Sequence, residues 1–576
     1  MNRIVAAQQF RRAVMSILTV ATALPFSGVF AQVAPTAYGK VPNARQIEWY
    51  HREMQMFVHF GMNTFTNLEW GTGSESPNSF APTALDCGQW CRTAKNAGFK
   101  SMILVAKHHD GFCIWPSAQT THDVASSSWR NGAGDVVKEF TDSCAKYGLK
   151  AGIYLSCGDF HHDGTVPNYE QFYLDQTKEL IKNYGVIREM WWDGANNAMT
   201  ASSFYRITDS IHAIQPLCAI WSDAAGRNRT AEMRWNGNET ATNGDPCWAT
   251  MDSAWSNANT GILTGPCYVP AEGDISIRDG WFWHSTGTLK TLAALINAYC
   301  YSVGRNGGLL MNVPPDTRGR MVSGDSIRVD SLGMWVYGTF DTNLAAGATV
   351  TSLHPRGTGF EPANLVDGQE STCYAALDAN RTDTITFNLG SSKTFDAIMV
   401  QEVNTLGQRT TGWAIQYSTN GTTWNPVTGA TGKQSIGYKW IIRITTAVTA
   451  SYVRLCITAG NACPALHTFG LYRQGYVHQP TTAAAPPSST RPPRGQGFTV
   501  YLAGQPIVLP ASFAGKTVSV ALLDLKGRVV RQMTAKAGAG ASLSDALVLD
   551  NGVYVARVRC GAAGKTSVQP FVAFRR

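Results

Sequence analysis

Apolar residues follow two different patterns along the chain, and the change between them falls near Asp341. From about Val41 to about Gly338, short apolar runs alternate with longer amphipathic stretches that end at a glycine, as in GDVVKEFTDSCAKYG. This alternation predicts strands joined by helices, because glycine commonly follows the last helical turn and strand–helix repeats build parallel sheets. Eight runs are predicted to be strands, which favours an eight-stranded β/α barrel: MQMFVHFG, SMILVAKHH, KAGIYLS, REMWWDG, LCAIWSD, EMRWNGNE, DGWFWH and GGLLMNVPP.

Polar residues stand at the carboxyl end of almost every predicted strand. In a β/α barrel these ends meet at one rim, and active sites are built there. The rim is therefore the expected site, and its candidate residues are His59, His108, His109, Tyr154, Asp193, Asp223, Glu239, His284 and Asn312.

Beyond Asp341, apolar and polar residues alternate between Gly, Asn and Asp turns, as in DTITFNLG and GWAIQYSTNG. Alternation with a period of two predicts a β-sandwich, here over residues 341–474. A Pro-, Ser- and Thr-rich linker is predicted over residues 475–497, and a small all-β module over residues 498–576. The predicted fold is an α/β barrel over residues 41–340 followed by two all-β units.

The first 31 residues have the features of a secretory signal peptide. Arg3, Arg11 and Arg12 precede the apolar run AVMSILTVATALPF, and the segment ends in small residues near Ala31. Such a segment is cleaved on export, so the protein is predicted to be secreted into the periplasm, to the outer cell surface or to the medium. No later run reaches the roughly 18 apolar residues of a membrane span, so none is predicted.

Charge and cysteine content exclude some classes of partner. The net charge is +8 over 576 residues and no block of like charges occurs, which argues against a nucleic-acid or membrane-surface partner. The 13 cysteines lack the paired spacing of metal sites, and most are expected to be buried thiols. Cys456 and Cys463 are close enough in sequence that a disulfide between them is conceivable.

The segment KHHDGFCIW, residues 107–115, has three interpretations. His108, His109 and Asp110 could bind a metal, one histidine could be structural, or both rings could recognise a substrate. Adjacent strand residues point to opposite faces, so the two rings share a ligand only if the strand ends there. The following DGF is a turn signal, which favours rings at the rim that exchange hydrogen bonds with sugar hydroxyls. Asp110 is then expected to hold the turn.

Carboxylates elsewhere on the predicted rim suggest glycoside hydrolysis. Asp193 ends the aromatic strand REMWWDG, where a carboxylate either caps a helix or reacts. A second carboxylate is needed, and Glu239 in RWNGNET or Glu272 and Asp274 in PAEGDISIR, read as a loop, could supply it.

The segment NLEWGTGSE places Glu69 and Trp70 in the loop after the first strand. This loop lies on the predicted rim, so both residues are candidates for the site, although the tryptophan could simply pack on the barrel.

Taken in order, these segments resemble those of glycoside hydrolase family 29, the α-L-fucosidases. The sandwich sequence resembles that of the subfamily acting on α1,3- and α1,4-linked fucose in Lewis-type structures, and it is similar to discoidin-like carbohydrate-binding domains. The motifs that carry the resemblance are HFG, EWG, KHHDGFCIWPS, GIYLS, WWDGAN, GNE, IRDGWFWH, VGRNGGLLMNVPPDTRG and, in the sandwich, VQEVNTLGQRTTGWAIQYSTNGTTW.

The resemblance implies a retaining, exo-acting reaction that uses no metal and no cofactor. Asp193 matches the nucleophile and Glu239 the acid/base, with Glu272 as the alternative because this position varies across the family. An assisting arginine is also implied, and Arg227, Arg229 and Arg234 are its candidates. The positions that match substrate contacts are His59, Glu69, Trp70, His108, His109, Tyr154 and Trp191, with Arg234 added from the arginine candidates.

Three expectations concern the whole protein. Its partners should be fucosylated oligosaccharides or glycoconjugates. The C-terminal segment resembles sorting domains of type IX secretion substrates, which implies cell-surface association. A lectin without activity, or a metal-dependent hydrolase built on His108, His109 and Asp110, are the alternative functions.

Overall fold

A computed structural model describes residues 32–475, apart from residues 163, 195–198 and 223–229, and the backbone of six strands between residues 499 and 573. The signal-peptide segment and most of the predicted linker, with Asp223, Arg227 and Arg229, lie outside the described residues. None of the described helices combines the length and the apolarity that crossing a membrane requires.

Eight parallel strands form the first domain. They are β1 (Met54–Val58), β2 (Ser101–Lys107), β3 (Lys150–Leu155), β4 (Ile187–Trp192), β5 (Ala219–Ser222), β6 (Arg234–Trp235), β9 (Ala271–Ser276) and β10 (Gly307–Asn312), with the short pair β7 (Thr250–Met251) and β8 (Cys267–Tyr268) outside the barrel.

Helices cover the outside of this sheet. They are α1 (Ala44–Arg52), α2 (Met62–Thr66), α3 (Cys87–Asn96), α4 (Val136–Tyr147), α5 (Tyr169–Asn183), α6 (Ala201–Ile214), α7 (Leu292–Ser302) and α8 (Ser323–Phe340). Caps fix several of their starts, as where the Asp135 carboxylate accepts a hydrogen bond from Lys138 N at 2.9 Å.

The strand order is β5-β4-β3-β2-β1-β10-β9-β6, and the two end strands meet to close the barrel. Few main-chain contacts join the two strands at this seam. Trp221 and Met233 form an isolated parallel bridge, and Glu232 N donates to Ile220 O at 2.7 Å. The Glu232 carboxylate braces the seam by accepting hydrogen bonds from Asn43 and Arg45 at the start of α1, both at 2.7 Å.

The seventh barrel strand was predicted at the wrong place. The run DGWFWH forms a loop, and AEGDIS, for which the sequence pattern predicts a loop, is strand β9. Acidic residues and glycine disfavour strands on average, but here neighbouring side chains bond the buried carboxylates, so tertiary context outweighs propensity.

An antiparallel seven-stranded sheet forms the second domain, which confirms the predicted barrel-and-sandwich architecture. Its order is β12-β17-β13-β16-β14-β15, with β11 on β13: β11 (Thr349–Ser352), β12 (Tyr374–Ala375), β13 (Asp383–Glu402), β14 (Thr410–Ser418), β15 (Asn425–Pro426), β16 (Trp440–Gly460) and β17 (Ala465–Tyr472). Cys456 and Cys463 are both free thiols, so the conceivable disulfide is not formed.

The sandwich packs against the amino-terminal side of the barrel. Asn306 N donates to Lys439 O at 2.9 Å, and the Lys439 ammonium pairs with the Glu53 carboxylate at the entry to β1. The rim at the opposite ends of the strands is therefore left to the barrel's own loops.

Six further strands lie beyond the linker: β18 (Thr499–Leu502), β19 (Gln505–Val508), β20 (Thr517–Leu523), β21 (Val529–Lys536), β22 (Gly552–Cys560) and β23 (Lys565–Ala573). β18 pairs with β19, and β21-β20-β22-β23 form an antiparallel sheet.

Candidate active site

A cavity of about 380 Å³ opens at the carboxyl ends of the barrel strands. Most of the predicted site residues line it, whereas Glu272 and Arg234 do not. The lining residues used below are His59, Glu69, Trp70, His108, His109, Tyr154, Trp191, Asp193, Trp221, Trp235, Glu239, Asp274 and Trp281.

Both histidines of KHHDG reach this cavity because strand β2 ends at Lys107. The turn that follows is closed by a hydrogen bond from Gly111 N to His108 O at 3.0 Å, and Gly111 has a φ of 82°, which glycine adopts without strain. Asp110 holds the turn as predicted, since its carboxylate accepts hydrogen bonds from Phe112 N at 2.8 Å and Asn63 Nδ2 at 3.0 Å.

Burial keeps the histidines of the site neutral. It lowers the pKa of His59 to about 3, and it lowers the pKa of His108 well below its ordinary value. The His59 ring bonds to Asn312 Oδ1 at 2.9 Å, and the rings of His108 and His109 lie 4.0 Å apart. Neutral imidazoles both donate and accept hydrogen bonds, which suits the recognition of sugar hydroxyls.

Asp193 lies at the end of β4 with its carboxylate facing the cavity. The Tyr154 hydroxyl donates to Asp193 Oδ2 at 3.0 Å, and His109 Nε2 lies 3.6 Å from the same oxygen. These two side chains fix the orientation of the carboxylate while leaving about a quarter of it exposed to the cavity.

An aromatic floor lies beneath the carboxylate. The Trp191 indole stacks on Trp221 with ring centroids 3.4 Å apart, and on Tyr154 with centroids 5.2 Å apart. Flat aromatic faces pack well against the apolar face of a sugar ring.

Three further carboxyl groups line the cavity, those of Glu69, Glu239 and Asp274. Glu239 is solvent-exposed. Asp274, on β9, is buried, and Trp235 Nε1 donates to it at 2.9 Å. Burial raises the pKa of Asp274 well above its ordinary value. The sequence pattern predicts a loop at Asp274, so it marks this residue only as one of several candidate second carboxylates.

Glu69 and Trp70 reach the cavity from the loop after β1. The Glu69 carboxylate accepts a hydrogen bond from Trp281 N at 2.8 Å and contacts His284 Nε2. Trp70 packs against His109 with ring centroids 4.8 Å apart, yet 54% of its surface is exposed. An exposed tryptophan at the mouth of a cavity offers a surface on which a saccharide can stack.

Arg234 is predicted as a substrate contact, but the structure places it elsewhere. Its side chain is buried, and its guanidinium donates to the main-chain oxygens of Ala258, Trp248 and Val269. With its nitrogens engaged in this way, Arg234 holds the loop between β6 and β9.

Glu272, the alternative acid/base, lies inside the barrel beneath the cavity. It is 1% exposed, and three side chains donate hydrogen bonds to its carboxylate. An acid/base must reach the leaving oxygen, which this position does not allow.

No metal-binding cluster of three His, Cys, Asp or Glu side chains occurs among the residues that the structure describes. His109 Nδ1 bonds to Ser156 Oγ at 2.8 Å, and Asp110 is engaged in its turn. His108 and His109 both line the cavity.

A parallel β/α barrel whose rim cavity pairs carboxylates with an aromatic floor has the architecture of a glycoside hydrolase. Comparison with known families agrees. The α-L-fucosidase family model matches residues 28–339, and the F5/8 type C domain model, which describes discoidin-like domains, matches residues 347–468. The chain belongs to the α-L-fucosidases of glycoside hydrolase family 29.

Individual relatives extend across both domains. Alpha-L-fucosidase 1 of Arabidopsis thaliana is 36% identical over 450 residues, covering 75% of this chain and 87% of that protein. A candidate α-L-fucosidase structure from Bacteroides thetaiotaomicron has a TM-score of 0.75 and 44% identity, covering 77% of this chain and all of the other. A family 29 fucosidase of Ruminococcus gnavus in complex with fucose has a TM-score of 0.72 and 30% identity, covering 77% of this chain and 97% of that one.

Proposed function

We propose that this α-L-fucosidase releases terminal fucose with retention, through a covalent fucosyl-enzyme in which Asp193 is the nucleophile and Glu239 the acid/base. Asp193 attacks the anomeric carbon while Glu239 protonates the leaving oxygen. Glu239 then removes a proton from the water that hydrolyses the intermediate, which restores both carboxyl groups.

The observation that carries this proposal is the contrast between the carboxylates. Asp193 lines the cavity and accepts a hydrogen bond from Tyr154, with about a quarter of its side chain exposed, and Glu239 is exposed on the same cavity. Glu272 is enclosed by donors beneath the floor. A nucleophile needs fixed orientation, and an acid/base needs access to both the leaving group and water, so the positions suit these two roles.

Chemical rescue tests the two roles. Asp193→Ala and Glu239→Ala should each abolish hydrolysis of natural substrates, and azide should restore activity on an aryl α-L-fucoside in Glu239→Ala with a fucosyl azide of retained configuration. There azide displaces Asp193 from the fucosyl-enzyme without needing a base, whereas any azide reaction in Asp193→Ala is a single displacement and gives the inverted azide. Rescue of Glu272→Ala instead would transfer the acid/base role to Glu272.

We further propose that the preferred substrates carry α1,3- or α1,4-linked fucose in branched, Lewis-type structures. The support is the sequence resemblance of the sandwich to that subfamily, together with the open mouth beside Trp70. Incubation with Lewis a, Lewis x and α1,2-linked fucosyllactose separates the cases: release from the first two supports the proposal, and release from the α1,2 substrate alone refutes it.

Export and surface attachment complete the proposed function. The support is the signal-peptide pattern of residues 1–31 and the sorting-like sequence of residues 498–576. Fractionation of the producing cells should find activity in the envelope or the medium, and removal of residues 498–576 should abolish surface retention but leave aryl-fucoside hydrolysis intact. Activity confined to the cytoplasm would refute it.

A further inference from the structure

Three hydrogen-bond donors converge on the Glu272 carboxylate inside the barrel. Trp191 Nε1 donates to Oε1 at 3.1 Å, while Trp49 Nε1 and Gln55 Nε2 donate to Oε2 at 3.0 and 2.9 Å. A carboxylate is the only side chain that accepts from three donors without presenting a donor of its own. The donors therefore match this side chain specifically.

Burying the ionisable Glu272 side chain costs free energy, so its presence inside the barrel requires an explanation. Desolvation raises the pKa of Glu272 to about 7, although Trp191, Trp49 and Gln55 oppose the rise. The nearest cation, Arg52, is already paired with Glu189 at 2.8 Å. An apolar residue would spare the desolvation, but it would leave the three N–H groups without an acceptor.

The Trp191 indole connects Glu272 to the cavity. Its edge is held by Glu272, and its face stacks on Trp221 and Tyr154 in the floor described above. Tyr154 in turn donates to Asp193 Oδ2 at 3.0 Å. Rotation of the indole would displace Tyr154, and displacement of Tyr154 would weaken its hydrogen bond to the Asp193 carboxylate.

We propose that Glu272 is a positioning residue: it fixes the rotation of Trp191 through the indole N–H, and thereby aligns Tyr154 and Asp193 for attack. Asp274, two residues further along the same strand, lines the cavity. Strand β9 therefore places one carboxyl group beneath the aromatic floor and one at the cavity. Because Asp193 is the proposed nucleophile, the effect on turnover depends on the function proposed above, whereas the contact with Trp191 does not.

A double-mutant cycle tests the coupling. Glu272→Gln, Trp191→Phe and the double variant are compared by kcat and KM on an aryl α-L-fucoside. Glu272→Gln should lower kcat by about tenfold or more with a smaller change in KM, because misplacement of reacting groups by about 1 Å is sufficient for such losses. Trp191→Phe removes the same hydrogen bond from its other end.

The two losses should not multiply if Glu272 acts through Trp191. In the Trp191→Phe background, Glu272→Gln should then cost less than about twofold. Trp49→Phe is the matched control, since it removes a donor to the same carboxylate but lies outside the cavity; it should change kcat by less than about threefold. Thermal unfolding of each variant identifies losses caused by unfolding.

Several outcomes would overturn the proposal. They are multiplicative losses in the cycle, wild-type kcat in either single variant, or an equal loss in Trp49→Phe. If Glu272→Gln does not fold, Glu272→Asp takes its place in the cycle, because the shorter side chain keeps the carboxylate but draws it away from the Trp191 N–H. Failure of azide rescue in Glu239→Ala would instead count against the assigned carboxylate roles and leave the coupling result standing.

Discussion

His59 is neutral in the folded protein because burial lowers its pKa to about 3, far below its ordinary value. In the unfolded chain His59 binds a proton near pH 6.5, whereas in the folded chain it stays neutral down to about pH 3. The free energy of unfolding should therefore fall as the pH decreases from about 6.5 toward 3.

His59→Asn removes this penalty. The loss of unfolding free energy between pH 7 and pH 5 should shrink by about 2 kcal/mol relative to wild type, as measured by denaturant unfolding at both values. His51→Asn, at an exposed histidine on α1, is the control and should behave as wild type. Equal losses in wild type and His59→Asn would contradict the buried, neutral state.

Asp274 is expected to work in its protonated form. Burial raises its pKa well above the ordinary value, and an amide resembles a neutral carboxyl group in shape and in its single acceptor for Trp235 Nε1. Asp274→Asn should therefore retain kcat/KM within about fivefold. Asp274→Ala leaves the Trp235 N–H without this acceptor, so it should lower kcat/KM by more. Steady-state kinetics at pH 7 compares the two, and an inactive Asp274→Asn would show that the charge is needed.

Asp110 shapes the turn that presents His108 and His109, and it does not line the cavity. Asp110→Asn keeps an acceptor for Phe112 N, so it should reduce kcat/KM less than His108→Ala or His109→Ala does. Kinetics of the three variants on one aryl fucoside makes the comparison. A loss with Asp110→Asn as large as with either histidine variant would give Asp110 a direct role.

At the scale of elements, β9 carries Glu272 and Asp274 on either side of Gly273. A Cβ at Gly273 would come within 2.9 Å of Ala241 Cα, in the main chain that follows Glu239. Gly273→Ala should push this segment outward and lower kcat/KM on natural substrates by about tenfold or more, since Glu239, the proposed acid/base, moves with it.

Gly324 offers a matched control for that substitution. It lies in α8, and a Cβ there would meet nothing within 4 Å. Gly324→Ala should leave activity unchanged and stability equal or slightly higher. Similar losses of activity in both variants would show that the tight contact at Gly273 does not position Glu239.

The sequence predicted seven of the eight barrel strands because apolar residues cluster in their runs and polar residues follow. It missed β9, whose glutamate, glycine and aspartate suit a loop better than a strand. What makes AEGDIS a strand is the set of donors from Trp49, Gln55, Trp191 and Trp235, which come from four other parts of the chain. Local pattern cannot reveal partners of that kind, and the same reason hid Asp274 and misplaced Arg234.

For the whole molecule, the contact between barrel and sandwich includes a partly buried ion pair between Lys439 and Glu53. Burial raises the pKa of Glu53, but Lys439 more than compensates and holds it below the ordinary value. The stabilisation is therefore present above the pKa of an unfolded glutamate, near 4.3, and is lost as the pH falls through the folded value.

Lys439→Met removes the cation and leaves the Glu53 carboxylate in a largely dry interface. At pH 7 it should destabilise the protein by about 2 kcal/mol, seen as a lower unfolding midpoint, while kinetics at 25 °C stay unchanged because the rim is remote. Lys138→Met, which breaks an exposed pair with Asp142 on α4, is the control and should not shift the midpoint. An equal fall of the unfolding midpoint in both variants would show that the interface pair stabilises the protein no more than an exposed pair does.

The seam between β5 and β6 has a mechanical consequence for catalysis. Asp193 ends β4 on one side of the seam and Glu239 follows β6 on the other, so the gap between the two carboxyl groups spans the place where the barrel has fewest strand hydrogen bonds. That gap decides between retention and inversion in glycosidases. The Glu232 carboxylate ties this seam to the start of α1 through Asn43 and Arg45. Loss of these hydrogen bonds should therefore loosen the spacing between Asp193 and Glu239, although none of the three residues lines the cavity.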